Sequence, residues 1–255
     1  MQNLKERFET EGYVLLPGVL DDELMAETRQ HLDWLGKKFP EIATDNYQTV
    51  SMPVDPFWVR LVSDDRLLDI VEQFLGPNIA LFGAHYFAKP PFEGRAVLWH
   101  QDGSYWPLDP VEIATLWLAV DDVDPENGCL RVIPGSHNLE LQEMQSRNDV
   151  PNILNSAIDQ AFVDESKAVD CTLKAGGVEA HHPNTIHGSE ANNSPRRRAG
   201  LAIRYIPTST RITQTPWAGC YLLRGEAVEG INTYEPLPRY IEGEHMPFKG
   251  CEDWI

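Results

Sequence analysis

The sequence predicts a mainly β protein with flanking helices, its core a two-sheet jelly roll. Three observations carry that prediction. From Ile79 onward the chain breaks into about eight short runs rich in branched and aromatic residues, separated by Pro, Gly, Asn and Asp clusters, which is the pattern of antiparallel sheets. Before Ile79 the apolar residues instead recur at helical spacing. The length of 255 residues suits one domain with decorations and a substantial core. The expected layout is a helical segment over about 1–78, a jelly-roll core over about 79–207 and a C-terminal wrap over 208–255.

Taken in order, Leu4 to Glu11 reads as a short helix ended by Gly12, and Tyr13-Val-Leu-Leu16 as a buried strand closed by Pro17-Gly18. Asp21 is placed to cap a helix with Leu24, Met25, Thr28, Leu32 and Leu35 inward and Gly36 at its end. Asp64 and Gly76 bracket another, with Leu67, Leu68, Val71, Phe74 and Leu75 inward. Between them, residues 37–60 carry Pro40, Pro53 and Pro56 with no clean period and read as a loop. Strands are predicted at 79–89, 95–99, 113–121, 129–133, 168–173, 177–182, 185–188 and 198–207. Residues 134–165 read as a long insertion between strands.

The formal charge of -18 argues against a nucleic-acid or polyphosphate partner, which needs clustered Lys and Arg. Cys129, Cys171, Cys220 and Cys251 are widely spaced with no C-x-x-C pair, so neither a zinc knuckle nor a disulfide framework is suggested. No apolar signal core or membrane-length run is present. The expectation is a soluble, cytoplasmic protein.

The chemistry is concentrated in Trp99-His-Gln-Asp-Gly103. His100 and Asp102 are two residues apart and so share one face of an extended strand. With a second histidine they would form the 2-His-1-carboxylate face that holds non-haem Fe(II) and leaves three positions open. His31, on the polar side of its helix, and His137 and His245, in loop-like stretches, read as surface or locally satisfied. The informative cluster is Ala180-His-His-Pro-Asn-Thr-Ile-His-Gly-Ser189, in which His181, His182 and His187 all compete for the role. After it come three arginines, 196 to 198, at the head of an alternating strand. One of them, pointing into the barrel mouth, would suit an anionic co-substrate through a bidentate fork, although such a triplet is also typical of a solvated turn.

With Glu11-Gly-Tyr-Val, Phe74-Leu-Gly-Pro-Asn-Ile79, Lys89-Pro-Pro91, His100-Gln-Asp-Gly-Ser-Tyr-Trp-Pro107, Asn127-Gly-Cys-Leu-Arg-Val-Ile-Pro-Gly-Ser-His137 and His187-Gly-Ser189, the chain resembles the phytanoyl-CoA dioxygenase family. These are Fe(II)- and 2-oxoglutarate-dependent oxygenases on a cupin-like double-stranded β-helix. The likeness runs to Tyr205. In that family an arginine follows the second metal histidine by eleven residues; from His187 that residue is Arg198, whereas His181 and His182 lead to Asn192 and Asn193. The resemblance therefore implies His100, Asp102 and His187 as iron ligands and Arg198 as the anchor of the 2-oxoglutarate carboxylate, with Ser189 adding a hydroxyl. It places Gln101, Trp117 and His85 beside the co-substrate, although Trp117 could equally be core packing. Related halogenases carry a small residue where Asp102 stands, so hydroxylation is implied, with O2 consumed and succinate and CO2 released.

For the substrate the sequence suggests a small molecule, polar, cationic or phosphonate, and less readily an acyl-CoA, since no basic patch for a CoA diphosphate is evident. Tyr86, Tyr105 and Trp106 either line the pocket mouth or simply pack, and Arg204 shares a strand face with Arg198 and could meet a substrate anion. A zinc-occupied or metal-free binding module and a metal-dependent hydrolase are the rival readings. Neither gives Arg198 and Ser189 a reason to accompany the triad.

Overall fold

The computed structural model describes residues 3–49 and 54–254. The first helix, α1 (Leu4–Glu11), stops at Gly12, whose φ of 80° is the left-handed conformation glycine adopts freely. Strand β1 (Tyr13–Leu16) follows, then α2 (Asp22–Lys38), where the Asp21 side chain accepts from Leu24 N at 2.9 Å. Helix α2 runs two residues past Gly36. That glycine serves close approach, since a Cβ there would lie 3.2 Å from the Tyr47 hydroxyl.

Residues 37–60 are not all loop. Helix α3 (Pro56–Val62) starts there, with Pro56 in the first turn, where a missing N–H costs nothing, and Asp55 capping Trp58 N at 3.0 Å. Here proline initiates a helix and does not break one; Pro53 of the same expected loop lies outside the described residues. Helix α3 also changes the reading of His31. Its imidazole is fully buried, with Nε2 3.3 Å from Asp55 Oδ2 and Nδ1 3.2 Å from the Tyr86 hydroxyl. His31 is thus packed beside α3 and its cap, while Gln30, Asp33 and Lys37 of α2 stay exposed. Helix α4 (Asp65–Leu75) runs between Asp64 and Gly76 as expected, and Phe74 stacks on Phe8 of α1.

The strands that follow are β2 (Ile79–Lys89), β3 (Val97–His100), β4 (Leu108–Asp109), β5 (Ala114–Ala119), β6 (Leu130–Val132), β7 (Gln145–Ser146), β8 (Ser156–Ala157), β9 (Val169–Asp170), β10 (Val178–His181), β11 (His187–Ser189), β12 (Arg198–Pro207), β13 (Arg211–Ile212) and β14 (Tyr221–Arg224). One sheet has the order β1-β10-β5-β12-β2-β14 and the other β3-β11-β6-β9, with all pairings antiparallel. The 134–165 insertion carries the β7–β8 hairpin. The C-terminal segment does more than wrap: β14 extends the large sheet beside β2, and β13 pairs with β4.

The large sheet has two different faces. Its outer face, with Tyr86, Leu116, Leu118, Leu201, Ile203 and Tyr205, packs on Met25, Leu32, Phe57, Leu61, Leu67 and Val71 of the helices in the main apolar core. Its inner face turns Trp117, Ala119 and Ala202 toward Leu130 and Val132 of the small sheet. The helices therefore brace one wall of the space between the sheets. No helix of the described residues is long and apolar enough to cross a membrane.

Asp55 both caps α3 and partners the buried His31. Replacement by alanine removes a cap, about 1 kcal/mol, and leaves an imidazole nitrogen unsatisfied, about 1–3 kcal/mol. Asp55→Ala is expected to lower stability by about 2–4 kcal/mol, read as a drop in the urea midpoint at unchanged m-value.

Candidate metal centre and the cavity around it

The pairing of β11 with β3 sets His187 opposite His100, with ring centroids 4.1 Å apart. Asp102 follows in the short 3-10 turn after β3 (Asp102–Ser104). Its Oδ1 lies 3.5 Å from His100 Nε2 and 4.0 Å from His187 Nε2, and one donor atom from each of the three buried residues lies within 4.8 Å of the others. Both imidazoles are held by the same local device: His100 Nδ1 is 2.9 Å from Leu98 O, and His187 Nδ1 is 2.9 Å from Thr185 O. A carbonyl only accepts, so each Nδ1 carries the proton and each Nε2 presents its lone pair to the shared point, the arrangement a metal requires.

The electrostatics agree. Burial would raise the Asp102 carboxyl, but the Arg204 guanidinium, then the imidazoles of His100 and His181, outweigh it and hold it well below the usual carboxylate range. Burial, reinforced by the neighbouring His100 and His181, pushes His187 well below the usual range, so it is neutral, as a ligand must be.

Of the three competing histidines, only His187 has its Nε2 at that point. His181 lies on the other side of the carboxylate, its Nε2 3.6 Å from Asp102 Oδ2 and its Nδ1 2.7 Å from Glu179 Oε2. Burial would depress its pKa, but the adjacent Glu179 and Asp102 carboxylates push it up to about 9, which makes it an imidazolium. His182 accepts from Asn184 N at 3.1 Å and faces away from the cavity.

The arginine triplet divides. Arg196 pairs with Asp124 and Arg197 with Asp121, both toward the surface. Arg198 turns inward and is 1% exposed. Its Nε donates to Gly128 O at 2.8 Å and its Nη2 to Ser189 Oγ at 2.9 Å, and no carboxylate of the described residues is within ion-pairing distance. Burial pulls its pKa down to about 10, still cationic at neutral pH. Ser189 Oγ also accepts from the buried Lys89 Nζ at 2.8 Å. With both acceptor sites taken by cations, the hydroxyl proton is left to donate. Trp117 packs in the same corner: the Arg198 guanidinium is 5.2 Å from its ring centroid, and the ring rests on Gly200, where a Cβ would come within 2.0 Å of it.

His85, Tyr105, Trp106 and Arg204 also line the cavity. Two expected residues do not. Tyr86 is buried on the opposite face of β2, against His31 and the helices. Since His85 faces inward, strand alternation sends its neighbour outward. Gln101 is turned away for the same reason, between the inward His100 and Asp102. Its amide donates to Asn184 O at 2.8 Å and its Oε1 accepts from Gln142 N at 2.9 Å, which ties the β10–β11 loop and the insertion together. Phe82, Phe87, Thr115, Leu154 and Trp217 line the cavity without having been expected. Alternation from His85 would have found Phe87 and the buried Lys89. Trp217 gave no local signal, since it reaches the cavity from the C-terminal segment by stacking on Phe82 at 4.6 Å.

Gly200→Ala forces Trp117 off its seat, an overpacking cost of about 1–3 kcal/mol. The expected outcome is weaker binding of anions at Arg198 together with a changed tryptophan fluorescence; an alanine variant with unaltered fluorescence and anion affinity would show the seat to be unimportant.

A family model described as phytanoyl-CoA dioxygenase matches residues 8–200. The L-proline trans-4-hydroxylase of Streptomyces griseoviridis is 29% identical over 240 residues, covering 83% of this chain and 87% of that protein. Phytanoyl-CoA dioxygenase 1 of Oryza sativa subsp. japonica is 33% identical over 172 residues, covering 68% of this chain and 60% of that one. Among solved structures, the apo form of the non-haem monooxygenase ThoJ superposes with a TM-score of 0.78 at 26% identity, covering 92% of this chain and 88% of that chain. The family match runs from α1 into β12 and takes in the His100, Asp102 and His187 cluster as well as Arg198; the chain belongs to the phytanoyl-CoA dioxygenase family of Fe(II)- and 2-oxoglutarate-dependent dioxygenases.

Proposed function

We propose that this protein hydroxylates an aliphatic C–H bond of a small molecule, with iron held by His100, Asp102 and His187 and 2-oxoglutarate anchored by Arg198. The observation that carries this reading is Arg198 itself. A buried guanidinium with no carboxylate partner is unfavourable by several kcal/mol, and a dicarboxylate that reaches it from the metal removes that cost. A structural zinc, or a hydrolytic metal with no co-substrate, would leave it uncompensated.

The residues fit the group. His100 and His187 offer bare Nε2 atoms, Asp102 an ionised oxygen on the same side, and three protein donors leave room for a bidentate 2-oxo acid and O2. Bound iron supplies the oxidative decarboxylation of 2-oxoglutarate to succinate and CO2 and the oxidation of the C–H bond. The chain's own residues bind and orient. Arg198 and the Ser189 hydroxyl hold the distal carboxylate, and Lys89, donating to the same hydroxyl, fixes which way its proton points. Trp117 walls the co-substrate side. Phe82, Trp106 and Trp217 wall the other and keep water from the reacting bond. Asp102 supplies the carboxylate that favours hydroxylation over halide transfer. A small metabolite suits this enclosure better than an acyl-CoA, whose diphosphate calls for clustered surface cations, and the similarity to a proline hydroxylase is in keeping with that.

Anaerobic Fe(II) with 2-oxoglutarate is expected to give a weak visible charge-transfer band. No band, and no succinate on adding O2, would refute the oxygenase reading. His187→Ala is expected to lose metal binding and His181→Ala to retain it; equal loss in both would reassign the ligand. Removing a charge-assisted contact worth about 1.5–3 kcal/mol, Arg198→Ala should weaken 2-oxoglutarate binding by roughly 10- to 150-fold, measured by titrating the band.

A further inference from the structure

Strand β12 lines the cavity with Arg198, Ala202 and Arg204, while Gly200 lies under the Trp117 ring. The two small residues clear a floor between two cations whose Cα atoms are six residues apart, roughly 20 Å along an extended strand. Arg198 belongs to the co-substrate in the reading above. Arg204 is at the other end, beyond the residues 8–200 that the family match covers. Its guanidinium lies 5.5 Å from the Trp106 ring centroid, its Nη1 donates to His85 Nδ1 at 3.0 Å, and its side chain is 12% exposed.

A guanidinium in such a place could simply neutralise Asp102. The geometry argues otherwise. Arg204 Nε is 3.7 Å from Asp102 Oδ2, too far for a hydrogen bond, and it is buried with no hydrogen-bond partner. Elsewhere in this molecule arginines that serve acids grip them closely: Arg197 Nε lies 2.8 Å from Asp121, and Arg224 Nη1 lies 2.7 Å from Asp69. Asp102 Oδ2 already accepts from Thr115 Oγ1 at 3.4 Å. Its Oδ1 faces the metal ligands, so a bound metal would draw the carboxylate's charge away from Arg204. His85, the other contact, is a neutral acceptor, its pKa pushed down to about 3 by burial and by Arg204 itself.

With iron and 2-oxoglutarate in place, the charges pair off. The metal takes Asp102 and one carboxylate of the co-substrate, Arg198 takes the other, and His181 has Glu179. Of the cations that line the cavity, Arg204 is then the one without a hydrogen-bonded carboxylate. Building on the oxygenase reading, we propose that the primary substrate is a carboxylic acid, its carboxylate held by Arg204 and its carbon body lying among Phe82, Trp106 and Trp217. A single guanidinium matches a monoanion, whereas a phosphate monoester would bring about -1.5 to -2. The planar fork matches a carboxylate, and the aromatic rings around it are apolar faces for carbon. Because Arg204 is beside the carboxylate assigned to the metal, the charge of the substrate sits close to the reacting bond. Oxidation then falls on a carbon only a few bonds from the acid group.

The test is made on the anaerobic Fe(II) and 2-oxoglutarate complex, followed by the charge-transfer band and by calorimetric titration. The probes are short aliphatic and arylalkyl carboxylic acids, each beside its primary amide and its phosphonate. Acids are expected to perturb the band and to bind about tenfold or more tightly than their amides. Arg204→Gln is expected to erase that preference while the band still forms, and Arg204→Lys to restore part of it. If the band never forms, the oxygenase reading falls and takes this one with it. If the band forms normally but acids gain nothing over amides, or phosphonates bind best, the carboxylate assignment alone is overturned. Should the variants not fold, the comparison of acid with amide on the unaltered protein decides by itself.

Discussion

The antiparallel pairing of β3 with β11 is the interaction on which the centre depends. It brings two imidazoles from stretches more than eighty residues apart to 4.1 Å, and a carbonyl two residues upstream of each histidine fixes both tautomers alike. A slip of one residue in that register would turn either histidine to the outside of the sheet. Register of this kind is held by burial. The large sheet is braced by the helices on its outer face, and the small sheet is packed against its inner face through Leu130, Val132 and Trp117. The helical segment therefore contributes no ligand, yet it stiffens the wall against which the ligands are set.

Much of this was readable in the chain because strands and helix caps leave local marks. Gly12, Asp21, Asp64 and Gly76 punctuate the helices as their chemistry suggests, and β2 and β12 form where their branched and aromatic runs predict strands. The misreadings have two sources. One is alternation not carried through: accepting His85 and His100 as inward excludes Tyr86 and Gln101. The other is tertiary. Nothing near His31 announces that α3 will cover it, and nothing near Trp217 announces that it will stack on Phe82. Pro56 shows a third, milder case, in which one residue type carries opposite meanings at the start and in the middle of a helix.

The cavity inverts the charge of the molecule. A chain with formal charge -18 gathers Arg198, Arg204, Lys89 and a protonated His181 around a space a few side chains wide. Most surface arginines are matched to acids, as Arg196, Arg197 and Arg224 are, so the acidic exterior stays acidic. Inside, Arg198 is met by a carbonyl, a hydroxyl and an aromatic ring, Arg204 by an imidazole and an aromatic ring, and His181 by the Glu179 carboxylate. An acidic molecule thus gathers several of its cations at the place where an oxidation would occur.

The walls of the cavity come from different parts of the chain than its chemistry does. The three proposed ligands and Arg198 stand on or beside β3, β11 and β12, whereas Leu154 comes from the insertion and Trp217 from the segment after the core. Tyr105, partly exposed, reaches across to Ser156 of that insertion at 2.7 Å. Such a division lets the peripheral segments diverge while the sheets stay constant. A lineage built this way can inherit its reaction and acquire its substrates separately, so kinship among its members is a record of shared chemistry far more than of shared diet.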